Sequence, residues 1–275
     1  MLVIGSVACD EVIRLREPMR VGGHNQGYPE GRRIGGGAAN TALALAHVGD
    51  EARVMSAVRN DELGRWLMDE LAQARIDTAR IRRDAKVTTH SLVFVDEDGE
   101  RTIVNRQRAL NPLPAPEDWR EVDVVYVRCA DAALSLVLAQ CAKESLVVAH
   151  IPPVTPGFRP AQVLVGSEDD LDAEFLSDPW RNGREVAGET LKWVVITHGE
   201  NGVTAYGEEA TLACAAPHVT AVDTTGAGDV FAAGLVHALA YGETMEQALA
   251  CGAQWGAASV CYEGTVPPPE FPVLA

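Results

Sequence analysis

Hydrophobic and polar positions follow two alternating periods along this chain of 275 residues. Short apolar runs rich in β-branched residues predict buried strands, at residues 2–6, 52–58, 122–127, 146–150, 163–165 and 193–197. Runs with helical spacing predict helices between and after them, at residues 41–48, 62–74, 132–144, 169–176, 185–191, 230–240 and 245–262. Strands that alternate with helices predict an α/β fold with a mostly parallel central sheet.

Two segments depart from this alternation. Residues 11–33 are polar and interrupted by proline and glycine, whereas residues 88–95 and 101–105 alternate like the strands of a hairpin around Asp96-Glu-Asp-Gly-Glu100. We predict one domain over residues 1–275. A small β lid would be formed by insertions at about 11–34 and 88–110.

Charge and cysteine content narrow the function classes. The net charge of −16 argues against nucleic acid and anionic membranes as partners, because both would repel it. No apolar run reaches the roughly 18 residues that a membrane span needs. The six cysteines are scattered without a Cys-x-x-Cys pair, which is typical of free thiols and predicts a cytoplasmic protein.

Several common catalytic motifs are absent. No lysine follows a glycine anywhere in the chain, which excludes a P-loop nucleotide site. The first strand and first helix are not joined by Gly-x-Gly-x-x-Gly, and no Gly-x-Ser-x-Gly elbow occurs. Dinucleotide binding and serine hydrolase chemistry are therefore disfavoured.

A glycine-rich segment, Asp223-Thr-Thr-Gly-Ala-Gly-Asp229, leads directly into a long apolar helix. Glycines allow the backbone to turn tightly and approach a ligand, and a helix N-terminus attracts anions. The segment therefore predicts a phosphate site. Asp229 would repel a phosphate unless it had a task, either as a base that accepts a proton or as the cap of the helix.

A second glycine run, Gly35-Gly-Gly-Ala-Ala-Asn40, opens the first helix. In this order on an α/β chain, the two motifs resemble the signatures of the ribokinase (PfkB) family of carbohydrate kinases, and the resemblance covers essentially the whole chain. It implies a three-layer α/β/α sandwich with a small β lid that closes over the sugar. It also implies a homodimer contact through the lid, and ATP with Mg²⁺ as cofactors.

The resemblance assigns roles to individual residues. Asp229 matches the base that accepts the proton of the attacking sugar hydroxyl, and Gly226, Ala227 and Gly228 match the anion hole for the transferred γ-phosphoryl group. Four residues match the positions that bind sugar hydroxyls. They are Asp10, after the first strand, and Gly36, Gly37 and Asn40 of the first glycine motif. The nucleotide-side positions are Thr197, Gly199 and Gly202, together with Thr225, Gly226 and Gly228.

Ion ligands are also implied. Asp223 and Thr225 match residues that hold a monovalent cation in family members activated by K⁺. The family's usual Asn-x-x-Glu, which helps to place Mg²⁺, is replaced here by Gly166-Ser-Glu-Asp-Asp170. Glu168 and Asp170, or Ser167 and Asp170, are the candidates to act there through water.

The acceptor sugar stays open between classes. Gly37 stands where ribokinases carry lysine, and the hairpin sequence and Arg128 look like those of ketose kinases. They are also similar to kinases of 6-deoxy-6-sulfofructose, in which residues matching Asn105 and Arg128 bind the sulfonate. An arginine offers a planar charged fork to such a group, but Arg128 could instead pair with a carboxylate or with the nucleotide phosphate. The remaining alternatives are a nucleoside kinase and a non-catalytic binding homologue.

Overall fold

The computed structural model describes residues 1–97, 101–151, 158–266 and 268. Its strands, in chain order, are β1 (Leu2–Gly5), β2 (Ala8–Leu15), β3 (Gly27–Gly35), β4 (Arg53–Ala57), β5 (Ile81–Arg82), β6 (Thr89–Val95), β7 (Arg101–Gln107), β8 (Val124–Arg128), β9 (Leu146–His150), β10 (Val163–Ser167), β11 (Trp193–Thr197), β12 (Val203–Tyr206) and β13 (Thr211–Cys214). Its α-helices are α1 (Gly37–His47), α2 (Glu62–Gln73), α3 (Pro116–Trp119), α4 (Leu134–Cys141), α5 (Ala173–Ser177), α6 (Pro179–Ala187), α7 (Ala227–Ala240) and α8 (Met245–Ser259).

The central sheet has nine strands in the order β13-β12-β11-β10-β9-β8-β1-β4-β5. Seven neighbouring strands of this sheet pair in parallel, in the spatial order β11-β10-β9-β8-β1-β4-β5. Strands β12 and β13 pair antiparallel at one edge. This order confirms the predicted mostly parallel α/β sheet. Because they are parallel, the carboxyl-terminal ends of β8, β9, β10 and β11 lie on the same side of the sheet, which is where such sheets bind ligands.

Two apolar cores lie on opposite faces of this sheet. Successive side chains of a strand point to opposite faces, so Val3 of β1 belongs to one core and Leu2 and Ile4 to the other. Helices α1, α2, α7 and α8 cover the first face, and α3, α4 and α6 contribute to the second. The result is a three-layer sandwich, as expected.

A separate sheet of four strands has the order β3-β2-β6-β7. It is built from the two segments predicted to form the lid, although residues 98–100, at the tip of the predicted hairpin, lie outside the described residues. We refer to this four-stranded sheet as the lid sheet. Its edge strands β3 and β7 are largely exposed, whereas β2 and β6 carry the small core of Val12, Val93 and Val95.

Local signals explain most helix boundaries. The Asp61 side chain accepts a hydrogen bond from the Gly64 amide at 2.9 Å, which confirms it as the N-cap of α2. The helix predicted at 185–191 was misplaced, because α6 begins at Pro179 behind the cap Asp178. Proline is favoured in the first turn, so Asp178-Pro179 begins this helix. None of the described helices has the length and apolarity to cross a membrane.

Candidate active site

The carboxylate of Asp229 lies in the first turn of α7 and is almost fully buried. Oδ2 accepts a hydrogen bond from Asn40 Nδ2 at 2.9 Å, and Oδ1 accepts one from Arg128 Nε at 3.0 Å. The helix cap is Gly226, so the interpretation of Asp229 as the cap was wrong. Because a carboxylate has about four lone-pair sites, it can accept a further hydrogen bond from a ligand.

The glycine run before α1 brings this helix close to Asp229. Gly36 has a φ of 92°, and a side chain there would collide with the Ser6 carbonyl. A Cβ on Gly37 would lie 2.6 Å from Arg128 Cγ and 3.0 Å from Asp229 Oδ1. Glycine at both positions is therefore needed for Asn40, one turn into α1, to reach the carboxylate.

Arg128 ends β8 and uses only part of its guanidinium for protein contacts. Besides Nε, Nη1 lies 3.3 Å from His150 Nδ1, and 34% of the side chain is exposed. Arginine has five donors and no acceptor, so Nδ1 must accept and three N–H groups remain. Burial, together with Arg128 and Arg159, lowers the pKa of His150 to about 3. The imidazole is therefore neutral at physiological pH.

Arg159 is buried behind this pair of residues. Its Nη1 donates to the carbonyl oxygens of Cys129 at 2.6 Å and His150 at 3.1 Å. It thereby joins the ends of β8 and β9, next to Arg128. Its burial lowers its pKa by desolvation.

The amides before Asp229 lie at the helix N-terminus: the Ala227 amide donates to the Thr224 carbonyl at 3.3 Å, whereas those of Gly226 and Gly228 have no acceptor among the described contacts. The first amides of a helix lack intrahelical acceptors and carry the positive end of the helix dipole. Apart from the neighbouring residues and the backbone of α7 itself, no described heavy atom lies within 4 Å of where a Cβ on Gly228 would be. The space beside Gly228 at the start of α7 is therefore open.

Asp223, at the other end of this loop, is buried and contacts the lid sheet. Oδ1 accepts hydrogen bonds from the Thr225 amide at 2.8 Å and pairs with Arg101 Nη2 at 2.6 Å. Oδ2 accepts from the Gly264 amide at 2.8 Å, and Arg101 Nη1 contacts Thr225 Oγ1. The guanidinium of Arg101 thus lies against both side chains that were expected to hold a monovalent cation.

The lid sheet places a row of polar residues together. Asp10 of β2 is in register with Ser91 of β6, which is in register with Asn105 of β7. Ser91 Oγ donates to Asn105 Oδ1 at 3.3 Å. Burial raises the pKa of Asp10, and the neighbouring Ser91 side chain opposes this shift. Asp10 also explains Gly35, where a Cβ would collide with its carboxylate.

Three of the predicted nucleotide-side residues, Thr197, Gly199 and Gly202, lie at the end of β11 and in the turn that leads to β12. Thr197 ends β11, and Gly199 and Gly202 have φ values of 56° and 98°. His198, between Thr197 and Gly199, contacts Glu168 Oε2 at 2.6 Å and Thr204 Oγ1 at 3.1 Å. Glu168 follows β10, the neighbour of β11.

Metal-ligand clusters are absent from the described part of the chain: it contains no group of three or more His, Cys, Asp or Glu side chains able to hold a metal ion. Asp170 is exposed and Glu168 already pairs with His198. A Mg²⁺ ion here would take most of its ligands from nucleotide phosphates and water, which is its usual preference in kinases.

Most of the predicted residues thus fall into four groups. Asn40, Arg128, Gly37 and Asp229 make one cluster, and Asp223 and Thr225 contact Arg101. Asp10 and Asn105 share the lid sheet, and Thr197, Gly199 and Gly202 lie at the end of β11 and in the turn after it. Sequence reasoning missed several residues around them, namely Ser91, Arg101, His150 and Arg159. His150 and Arg101 carried a usable signal, because one ends a predicted central strand and the other begins a predicted lid strand.

Comparisons with known proteins identify the family of this chain and agree with its fold. A family model described as pfkB family carbohydrate kinase matches residues 1–271. The ATP-dependent ribose-1-phosphate kinase of Halopiger xanaduensis is 26% identical, over 100% of this chain and 96% of that protein. Probable fructokinase-7 of Arabidopsis thaliana is 27% identical, over 85% of this chain and 80% of its own. A ribokinase structure from Cryptococcus neoformans in complex with ADP has a TM-score of 0.79 at 24% identity, over 98% and 97% of the two chains, and shows the same fold.

Proposed function

This chain belongs to the pfkB family of carbohydrate kinases, and we propose that it transfers the γ-phosphoryl group of ATP to a hydroxyl of a small ketose. The observation that carries the proposal is the buried Asp229 carboxylate, held by Asn40 and Arg128 beside an open helix N-terminus. Relatives of this family are phosphotransferases that act on alcohol groups, and those compared above include a probable fructokinase.

In the proposed reaction, Asp229 accepts the proton of the sugar hydroxyl as its oxygen bonds to the γ-phosphorus. The bond between that phosphorus and the bridging oxygen breaks, and ADP leaves. Asp229 is fixed by two donors, so little reorganisation is needed when the proton arrives. The amides of Gly226 and Gly228 would stabilise the charge on the transferred oxygens. The Ala227 amide would join them on leaving the Thr224 carbonyl, to which it donates at 3.3 Å.

Asn40 supplies a second argument for a polar acceptor molecule. Its Nδ2 is bound to Asp229, whereas its buried Oδ1 has no hydrogen-bond partner among the described residues. A buried carbonyl oxygen without a donor costs free energy. A sugar hydroxyl that donates to Oδ1 would remove this cost and would lie close to the base.

We further propose that the acceptor carries an anionic substituent, of which a sulfonate on a ketose is the specific candidate. Arg128 keeps three N–H donors beyond its bonds to Asp229 and His150, and its side chain is partly exposed. This planar fork suits an anionic oxygen group. The name of the ribose-1-phosphate kinase relative also indicates an anionic sugar as its acceptor. Asn105 and Asp10 would contact the sugar from the lid sheet.

The nucleotide and its ion are proposed on the nucleotide side of the site. The turn with Thr197, Gly199 and Gly202 would face ATP, and Thr225 would lie near its phosphates. Mg²⁺ would neutralise phosphate charge, with Glu168 and Asp170 acting through water. A cytoplasmic location is proposed from the free thiols of all six cysteines.

A homodimer through the lid sheet is also proposed. Tyr28 of β3 and Ile103 and Val104 of β7 expose 53%, 51% and 44% of their surfaces. Exposed apolar side chains on edge strands are unfavourable in a monomer, because they are open to association with another chain. Light scattering on the wild-type protein and an Ile103→Lys variant tests this assembly, and a monomeric wild type would contradict it.

A coupled assay of ADP release across acceptors tests the function. The panel contains fructose, 6-deoxy-6-sulfofructose, ribose, ribose 1-phosphate and cytidine, and we expect the highest kcat/KM for the sulfonated ketose. Arg128→Gln should reduce that value by about a hundredfold and affect fructose less, with Arg181→Gln on exposed α6 as control. Release with cytidine alone would favour a nucleoside kinase, and no release with any acceptor a binding protein.

A further inference from the structure

Among the described contacts of β7, those of Arg101 alone connect the lid sheet with the loop before α7. Its guanidinium pairs with Asp223 Oδ1 at 2.6 Å and contacts Thr225 Oγ1. The Arg101 side chain is 21% exposed and that of Asp223 4%. A buried carboxylate requires a compensating positive charge, and Arg101 supplies it here.

The oxygens of Asp223 have little capacity left for a metal ion. Oδ1 already accepts from the Thr225 amide and Arg101, and Oδ2 accepts from the Gly264 amide. The hydroxyl of Thr225 is also occupied by Arg101. A monovalent cation bound to Asp223 and Thr225 would lie at the position of the guanidinium. The two charges would then compete for the same oxygens.

We propose that Arg101 is a positioning residue that takes the place of a monovalent metal ion at the loop before α7. The inference rests on the proposed kinase function. Arg101 would hold Asp223 and Thr225 in the conformation that directs the amides of Gly226 and Gly228 toward the transferred phosphoryl group. Because Arg101 belongs to the lid sheet, the loop would be ordered only when the lid sheet lies against it. Turnover would then need no K⁺.

Exchange of salts tests this proposal. Turnover and melting temperature of the wild type are measured in KCl, NaCl and choline chloride at equal ionic strength, so that screening stays constant. We expect kcat to differ by less than about twofold among the three salts, because Arg101 already supplies the positive charge that a bound K⁺ would otherwise provide. A strong requirement of the wild type for K⁺ would overturn the proposal.

Variants of Arg101 give a second readout. Arg101→Gln should lower kcat at least about tenfold in choline chloride, because the buried Asp223 loses its charged partner. KCl should restore part of that activity and raise the melting temperature of this variant but not of the wild type. Arg101→Lys should retain most activity. Arg106→Gln, on the same strand, is the matched control and should behave as the wild type in all salts.

The outcomes separate this inference from the function itself. If Arg101→Gln matches the wild type in kcat and in all salts, Arg101 has no positioning role even though the kinase function stands. If no acceptor yields ADP, the kinase function fails, but the melting temperatures still report on the cation. A variant with low stability that no salt improves would assign Arg101 a purely structural role and overturn the proposal.

Discussion

Arg128 Nε lies 3.0 Å from Asp229 Oδ1, so the residue that ends β8 holds the carboxylate in the first turn of α7. This ion pair is partly buried and joins positions 101 residues apart in the chain. It places a fixed positive charge beside the proposed base and beside the space proposed for the sugar. One side chain can therefore orient Asp229 and recognise an anionic acceptor.

Replacement of Asp229 by asparagine should abolish turnover. The amide keeps the shape of the carboxylate but cannot accept the hydroxyl proton, so we expect kcat to fall by about 10³-fold. Nucleotide affinity, measured by calorimetry with a non-hydrolysable ATP analogue, should change little. Asp69→Asn, on the exposed face of α2, is the control. A kcat within tenfold of the wild type would contradict the role of Asp229 as base.

The asparagine also disturbs the hydrogen bonds of the side chain at position 229. The effect of this disturbance has to be separated from the loss of the group that accepts the proton. Its amide nitrogen would face a donor, either Asn40 Nδ2 or Arg128 Nε. Thermal melting of the variant therefore accompanies the kinetics. A folded variant that binds nucleotide but does not turn over supports the assignment.

Much of this architecture could be predicted from the pattern of residues. The strands at 146–150 and 193–197 were predicted with the observed bounds, because short buried runs between polar segments have clear ends. Both glycine motifs were found because glycine is required there for conformation and for close approach. Helix bounds were less accurate. Helix α1 begins at Gly37 rather than residue 41, because Gly37 and the two alanines before Asn40 already belong to its first turn.

Long-range pairs could not be predicted in the same way. Arg101 and Asp223 are far apart in sequence, and nothing local to either residue indicates the other. Arg159 lies after a proline-rich stretch and gives no sign that it joins two strand ends. The register that aligns Asp10, Ser91 and Asn105 depends on a parallel pairing between two separate insertions. Such contacts follow from topology, which the local pattern does not encode.

The glycines at 226 and 228 should respond differently to alanine. Gly226 has a φ of 79°, and a Cβ there would collide with the Thr265 carbonyl. We expect Gly226→Ala to lower the free energy of unfolding by about 2 kcal/mol or more. Gly228 lies within α7 and has open space around it, so Gly228→Ala should fold at least as stably as the wild type.

The same pair separates stability from catalysis. The added methyl group at position 228 would enter the space proposed for the phosphoryl group, so kcat of Gly228→Ala should fall by about tenfold to a hundredfold. Denaturant unfolding and ADP release measured on both variants test this. Full activity of Gly228→Ala would show that the phosphoryl group does not approach this amide.

Loss of the Asn40 side chain should affect both substrate binding and turnover. Asn40→Ala removes the donor to Asp229 Oδ2 and the free Oδ1 proposed for a sugar hydroxyl. We expect KM for the sugar to rise and kcat to fall, each by about tenfold, since a hydrogen bond is lost in each case. Asn60→Ala, at an exposed position, is the control. An unchanged KM for the sugar would argue against the contact with Oδ1.

His150 should make the stability of the protein depend on pH. Burial, with Arg128 and Arg159, lowers its pKa to about 3 in the folded state, whereas an unfolded histidine titrates near 6.5. Between these values the unfolded chain binds a proton that the folded chain does not. The free energy of unfolding therefore rises with pH in this window, and acidification from pH 8 to pH 5 should reduce it by about 2 kcal/mol through this residue.

Denaturant unfolding of His150→Asn against pH isolates this contribution. Asparagine retains an acceptor for Arg128 Nη1 but does not titrate, so the variant should lose less stability than the wild type between pH 8 and pH 5. His218→Asn, at an exposed position, should retain the wild-type curve. If His150→Asn and the wild type lose equal stability, burial and the two arginine neighbours do not hold the imidazole neutral.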